Sequence, residues 1–364
     1  MKQPSGSFDF PKVFIVFFYT SNLMIGFLSA VEGFFSGLSR VHRLLPWILA
    51  YLLLLPLPYL LKHGINEYYV DLANRACLFI LLSVGLNIVK GFCGQVTVGH
   101  IGLYAIGAVS SALLALNYNL PFWVSAPIAV IITGLAGILV GLPSVRLEGA
   151  YLALATLGLG ESVRIMIAVT PALGSSTGLM MIPEPSIGEF IFDNFESYYY
   201  LVMTCALIGI YLSFAILKSS TGRAFQAIRE DAIAASVAGI NVPFYKLLAF
   251  VISALYAGLA GALFAHMPPG YLHHNNFTII EMVTLLLMVV LGGIGNVWGG
   301  VIGAIVVTII YDQTKDYYFY QPLIFGIIMV VMVVFMPHGI GGVVKQAMIK
   351  RKFIEKHEEA SGPA

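Results

Sequence analysis

The chain has 364 residues, of which 59% are hydrophobic and 10% charged, and its formal net charge is +1. A soluble domain of this length has no interior large enough to hide so much apolar surface, so the composition excludes a soluble globular protein and reads as an integral membrane protein. The near-neutral charge lacks the basic signature of a nucleic-acid binder, and Cys77, Cys93 and Cys205 fall in or beside apolar runs, without the spacing of a metal site or disulfide framework.

In chain order, the start of the sequence lacks the basic opening, short apolar core and small-residue cleavage site of a secretory signal, so the first spans themselves are expected to direct insertion. Within residues 1–43, the stretch 13–38 is long enough to cross a bilayer. Yet Asn22, Gly26, Ser29, Gly33, Ser36 and Arg40 recur at helical spacing as one small or polar stripe, with Phe17, Leu28, Phe34 and Phe35 available to lipid. We read an amphipathic helix lying in the interface or packed on the bundle, with an eleventh span as the alternative.

Ten apolar stretches follow, each bounded by polar or turn residues: 44–61, 70–89, 97–116, 121–142, 150–168, 198–217, 247–267, 279–295, 297–311 and 322–336. A span needs about 20 residues, fewer where neighbours shield it, and the ninth is short. The fold expected is all-α, a polytopic bundle of about ten transmembrane helices with an extra N-terminal interfacial or transmembrane helix. Residues 44–344 form its membrane domain, and residues 345–364 form a polar tail. Placing the 218–246 loop in the cytoplasm puts Arg40, Arg43, Lys90, Arg146, Lys218, Arg223, Arg229, Lys246 and the basic tail on that side. Only Lys62 and Lys315 of the connecting segments then lie outside, and this bias orients the core with both of its ends cytoplasmic.

Residues 218–246, KSSTGRAFQAIREDAIAASVAGINVPFYK, are a polar, helix-forming island in this apolar chain. Ala232, Ala234 and Ala235 favour a short helix, Asp231 near its start complements the helix dipole, and Gly239 supplies a left-handed turn before Asn241-Val242-Pro243 leads back to the membrane. A water-facing helix held between spans suits a membrane protein driven by a soluble partner, with Arg223, Arg229, Glu230, Asp231, Ala235 and Gly239 as the contacts. With four basic residues against two acidic, a helix lying on anionic lipid is the alternative.

The chain also repeats itself. Residues 91–102, GFCGQVTVGHIG, superimpose without a gap on 292–303, GGIGNVWGGVIG, matching Gly91, Gly94, Gly99 and Gly102 with Gly292, Gly295, Gly300 and Gly303. Both copies join an inward-running helix to an outward-running one, which makes the repeat parallel. Membrane transport folds are often built from duplications, while glycine-rich membrane helices also resemble one another because small residues let backbones approach.

Polar side chains inside lipid are costly and mark function or local pairing. Glu161 and Arg164 sit three apart on one helix face and are expected to neutralise each other as a structural ion pair. Asn87, Gln95, His100, Glu281 and Asn296 lie deeper and are candidates for lining a translocation pathway. His273 and His274, adjacent in a loop, are expected to point different ways and to make a poor metal site. No phosphate-binding loop ending in Lys-Ser or Lys-Thr, no HExxH helix and no GxSxG elbow occurs, so no metal, ATP or other cofactor is expected on this chain.

The runs GQVTVGHIGLYAIGAVSSAL at 94–113, RLEGAYLALATLGLGESVRIM at 146–166, GSSTGL at 174–179, GRAFQAIREDAIAASVAGINV at 222–242 and GGIGNVWGGVIGA at 292–304 resemble the branched-chain amino acid ABC importer permeases, specifically their LivM-type subunit. The likeness covers most of the chain from about residue 70 onward. The family's glycine pair after the threonine of the third run is here Thr177-Gly178-Leu179. The resemblance implies a multi-pass permease subunit of a bacterial inner membrane importer. Such a subunit pairs with a second, similar permease, two ATP-binding subunits that hold the ATP and magnesium, and a periplasmic solute-binding protein. It further implies a hydrophobic or branched-chain amino acid as solute, with urea, short amides or aromatic acids as alternatives carried by the same class. An ion-coupled secondary transporter also has about ten spans and a repeat, and would need mid-membrane carboxylates, for which only Glu161 and Glu281 qualify.

Overall fold

A backbone crossing hydrocarbon must satisfy its own hydrogen bonds, and the computed structural model is accordingly helical over most of its length. It describes residues 45–64, 66–317, 319–335 and 339. The expected N-terminal helix of residues 13–38 and the polar tail 345–364 lie outside the described residues.

The helices in chain order are α1 (Leu45–Leu54), α2 (Leu57–Gly64), α3 (Tyr68–Asn87), α4 (His100–Tyr118), α5 (Phe122–Gly141), α6 (Gly149–Val169), α7 (Phe195–Lys218), α8 (Ser220–Glu230), α9 (Ala232–Val237), α10 (Val242–Ala265), α11 (Ile279–Gly292), α12 (Val297–Thr314) and α13 (Gln321–Phe335). Seven helical stretches among the described residues are long and apolar enough to cross a membrane: α3 with its extension to Phe92, α4, α5 with its extension to Val145, α6, α7, α10 and α12. Three further apolar stretches, Trp47–Lys62, α11 and Gln321–Met332, are shorter. Each apolar run expected from the sequence therefore carries helix, but the long spans number seven rather than ten. The first expected span divides at Leu55 and Pro56, because a proline within a helix lacks the N–H of the regular ladder and its ring crowds the preceding turn.

Two helices occupy the centre. The second half of α3 is buried on all sides, from Leu78 to Asn87 apart from a partly covered Phe79, and α10 is lined with small residues that admit close neighbours. A β-carbon at Gly107 of α4 would stand 2.6 Å from the Cα of Gly258 in α10, and one at Gly261 would stand 2.7 Å from the main-chain nitrogen of Ala108. Backbones this close gain dispersion over a long seam, the usual basis of helix association where lipid removes the hydrophobic driving force. On the other side of α3, Ser83 donates to the Gly300 carbonyl of α12 at 2.9 Å.

The helices alternate between two ends of the bundle. At the end opposite the island, the loops after α6 and α10 pair with each other: Leu179 and Leu272 exchange main-chain hydrogen bonds of 2.8 and 2.9 Å, and Ile182 donates to Gly270 at 3.1 Å. A two-stranded hairpin, β1 (Ser186–Ile187) and β2 (Phe190–Ile191), follows at that end.

Candidate functional site

The island forms an elbow. After α7 ends at Lys218, the chain is extended at Ser219 and re-enters helix as α8, whose buried face comprises Gly222, Ala224, Phe225 and Ile228. Asp231 then breaks the helix in an extended conformation, φ −156° and ψ 109°. Its carboxylate accepts from the amides of Ile233 at 2.8 Å and Ala234 at 3.0 Å, which satisfies two of the donors that open α9 and adds negative charge at the positive end of the dipole. Gly239, at φ +86°, closes α9, with Ile240 donating back to Ala235 at 3.0 Å. Asn241 then caps α10, accepting from Phe244 at 3.2 Å. Short polar side chains and one glycine thus turn the backbone three times within about a dozen residues.

The residues named for this loop from the sequence separate into four groups. Arg223 and Glu230 are exposed. Asp231 and Gly239 shape the elbow, as described. Ala235 is only 4% exposed, the one buried position of α9, which puts it beneath the outer face rather than on it. That face is apolar: Ile233 is 78% exposed and Val237 85%, with Phe244 also exposed. Ile233 and Val237 are four apart, so one side of α9 presents both. Neither was singled out from the sequence, although spacing of four on a capped helix was the signal available.

Arg229 turns the other way. Its guanidinium donates to the main-chain carbonyl of Gly91, at the end of the π-helical turn Ile88–Phe92 that extends α3. Beneath it the two copies of the sequence repeat meet. Gly94 and Gly295, which the repeat matches, both have positive φ, +74° and +85°, a backbone state open to glycine at little steric cost. Asn87, the last residue of α3, holds the second copy, donating to the carbonyl of Asn296 at 2.8 Å and accepting from the amide of Gly295 at 2.9 Å. The copies differ beyond the turn. Asn296 caps α12 by accepting from Trp298 at 3.0 Å, whereas Gln95 donates to Cys93 at 3.4 Å and α4 begins only at His100.

The five pathway candidates accordingly do not surround one cavity. Asn87 and Asn296 meet at the island end, with Gln95 in the adjoining turn. His100 is buried between helices, its Nδ1 3.2 Å from the Ser253 hydroxyl of α10. Glu281 accepts from the Tyr311 hydroxyl at 2.8 Å, in the first turn of α11 at the opposite end. A cavity of about 380 Å³ lies at that end too, lined by Lys62, Phe190, Phe192, Asn194, Glu196, Ser197 and Tyr200.

The remaining ionic features are local. Arg164 donates to Glu161 through Nε at 2.8 Å along α6. Lys246, 5% exposed in the first turns of α10, pairs at 2.7 Å with Glu148, which is 72% exposed. Hydrogen bonding and the charge of Lys246 hold the Glu148 carboxyl below its ordinary range. Burial and the nearby Asp193 push Glu184 up instead. His273 and His274 do not point apart as expected: their rings lie 4.0 Å from each other, and His273 Nε2 is 3.1 Å from the Ser176 carbonyl, because the loop-to-loop pairing gathers both rings over one turn. Among the described residues no group of three His, Cys, Asp or Glu is arranged to hold a metal.

Comparison with known proteins places this architecture. The family model described as branched-chain amino acid transport system / permease component matches residues 68–337. The high-affinity branched-chain amino acid transport system permease protein LivM of Escherichia coli is 33% identical over 357 residues, covering 92% of this chain and 82% of that protein. Its LivH counterpart in the same organism is 25% identical, covering 72% of this chain and 91% of LivH. The galactofuranose transporter permease protein YtfT of Escherichia coli is 27% identical, with 65% and 69% covered. No solved structure matches. A family model spanning most of the chain, together with a relative one-third identical along nearly all of it, establishes that this multi-pass membrane protein belongs to the branched-chain amino acid transport system permease family.

Proposed function

We propose that this chain is the LivM-type permease subunit of an ABC importer in a bacterial inner membrane, moving hydrophobic or branched-chain amino acids. In this reading it works with a second permease of the same family, two ATP-binding subunits and a periplasmic solute-binding protein. The three shorter apolar stretches complete a ten-span bundle with the island in the cytoplasm. The observation that carries the reading is the elbow of α8 and α9: a capped helix outside the apolar spans, displaying Ile233 and Val237 to water. Two such side chains cost free energy when left in water, and that cost is recovered when they are buried in a groove of a partner. A lipid-lying helix would instead place its basic residues around an apolar stripe, whereas Arg229 of this elbow faces the bundle.

Membership in the family leaves the solute open, since YtfT is named for a sugar. Identity along nearly the whole length of LivM favours the amino acid. The test is co-purification and uptake. Ile233→Asp and Val237→Asp should each lose the ATP-binding subunits from the purified complex while leaving this chain and its partner permease together in the membrane. Retention of those subunits at normal stoichiometry, with normal leucine uptake in vesicles supplied with the binding protein, would overturn the docking assignment. Uptake by this chain alone, driven by an ion gradient, would favour a secondary carrier.

A further inference from the structure

Arg229 was expected on the docking face, and the geometry points to a different task for it. Its stem lies across Gly94, where an added β-carbon would stand 3.1 Å from Arg229 Cγ and 3.2 Å from its Cα. Its guanidinium reaches over Gly295, where an added β-carbon would collide with Nη1 and stand 3.0 Å from the Gly91 carbonyl. One side chain of the elbow therefore touches both copies of the repeated glycine turn. Those turns are the junctions of α3 with α4 and of α11 with α12, and Asn87 ties the end of α3 to the second of them. Among the described residues, Arg229 is the side chain of α8 and α9 that hydrogen-bonds to these turns.

We propose that Arg229 is the positioning residue that transmits movement of the elbow to the two repeated helix pairs together. A rigid-body tilt of α8 and α9 needs a stiff connection to the spans if it is to rotate them rather than bend a loop. The covalent connections, at Ser219 and at 238–241, are extended or turn backbone that absorbs dihedral change. The Arg229 contact bypasses both. The stem packs on glycine backbone on one side while the residue stays exposed on the other, and a charge-assisted hydrogen bond to a carbonyl fixes the direction of pull. The absence of side chains at positions 94 and 295 is then a requirement of the seat for this arginine as well as of the turns. This role rests on the importer reading above, and differs from it in predicting that Arg229 is dispensable for docking.

The test uses the complete transporter in proteoliposomes with its binding protein and leucine, comparing Arg229→Ala, Arg229→Met and Arg229→Lys. Methionine keeps the stem over Gly94 and loses the donor, and lysine keeps a charged donor. Leucine taken up per ATP hydrolysed should fall in the order Lys, Met, Ala. The alanine variant should be lowered about tenfold, the size expected where one charge-assisted hydrogen bond carries the linkage. All three should retain the ATP-binding subunits and basal hydrolysis. If the alanine or methionine variant assembles and keeps the normal ratio, Arg229 is not the link. If both lose the ATP-binding subunits, Arg229 belongs to the docking face after all. Either result overturns this proposal and leaves the importer reading standing, whereas that reading fails on uptake by this chain alone, driven by an ion gradient.

Discussion

The side-chain amide of Asn87 holds the main chain of Asn296, donating to its carbonyl at 2.8 Å while accepting from the neighbouring Gly295 amide at 2.9 Å. A side chain near the end of α3 thereby substitutes for the backbone partners that an irregular turn lacks inside an apolar bundle. Asn87 is 1% exposed, so neither group has water as an alternative. Asn87→Ala should destabilise the permease by about 2 kcal/mol, from two stranded polar groups. Asn87→Asp should be worse than Asn87→Ser, because a carboxylate cannot donate to the Asn296 carbonyl. Thermal denaturation in detergent reads this order, and an alanine variant as stable as the parent would show that the bridge is not needed.

Gly239 separates backbone strain from crowding. At φ +86°, with nothing within 4 Å of the point where a β-carbon would sit, a side chain there meets open space but the wrong backbone state. Gly239→Val should cost about 1–2 kcal/mol through strain alone, Gly239→Asn distinctly less, and both should lower uptake and transport-stimulated ATP hydrolysis together. An altered choice of solute in these variants would instead place the elbow in the selectivity apparatus.

The Lys246–Glu148 pair gives a pH dependence with a definite sign. Because Lys246 holds the Glu148 carboxyl below its ordinary value of 4.5, the pair contributes stability that is present above that value and is lost as pH falls through the lower, folded-state one. The contribution is small, since Glu148 is 72% exposed and screened. Glu148→Gln should cost more than Lys246→Met, roughly 1 kcal/mol against near zero, because it leaves a buried ammonium without its partner while methionine removes the charge. Unfolding midpoints at pH 7 and pH 4 check both statements: the difference between parent and Glu148→Gln should narrow at the lower pH.

Ser186 and Ser236 mark opposite ends of the bundle, one in the hairpin after α6 and the other on the elbow. Cysteines at these positions should label from opposite sides of the membrane with an impermeant thiol reagent, Ser236 from the cytoplasm. Labelling of both from one side would require a different number of crossings between them.

The class of protein, the positions of its helices and the turns of the elbow were legible in the sequence. Each depends on neighbours along the chain: hydropathy over a span, an acid at a helix start, a glycine where φ turns positive. Even the glycine repeat was visible, and Gly94 and Gly295 share its backbone state. What the sequence could not show was which polar groups meet. Arg229 and Gly91 are 138 positions apart, Asn87 and Asn296 209, and Lys246 and Glu148 98. Asn87 and Asn296 are pathway candidates because an amide in lipid needs a partner; here the Asn87 amide meets backbone of the second turn and that of Asn296 caps α12, and a strip of residues does not show which partner is met. The same holds for α9, where helical periodicity gives the relative orientation of Ile233, Ala235 and Val237, but only docking of the elbow onto the bundle buries the alanine and leaves the two larger side chains exposed.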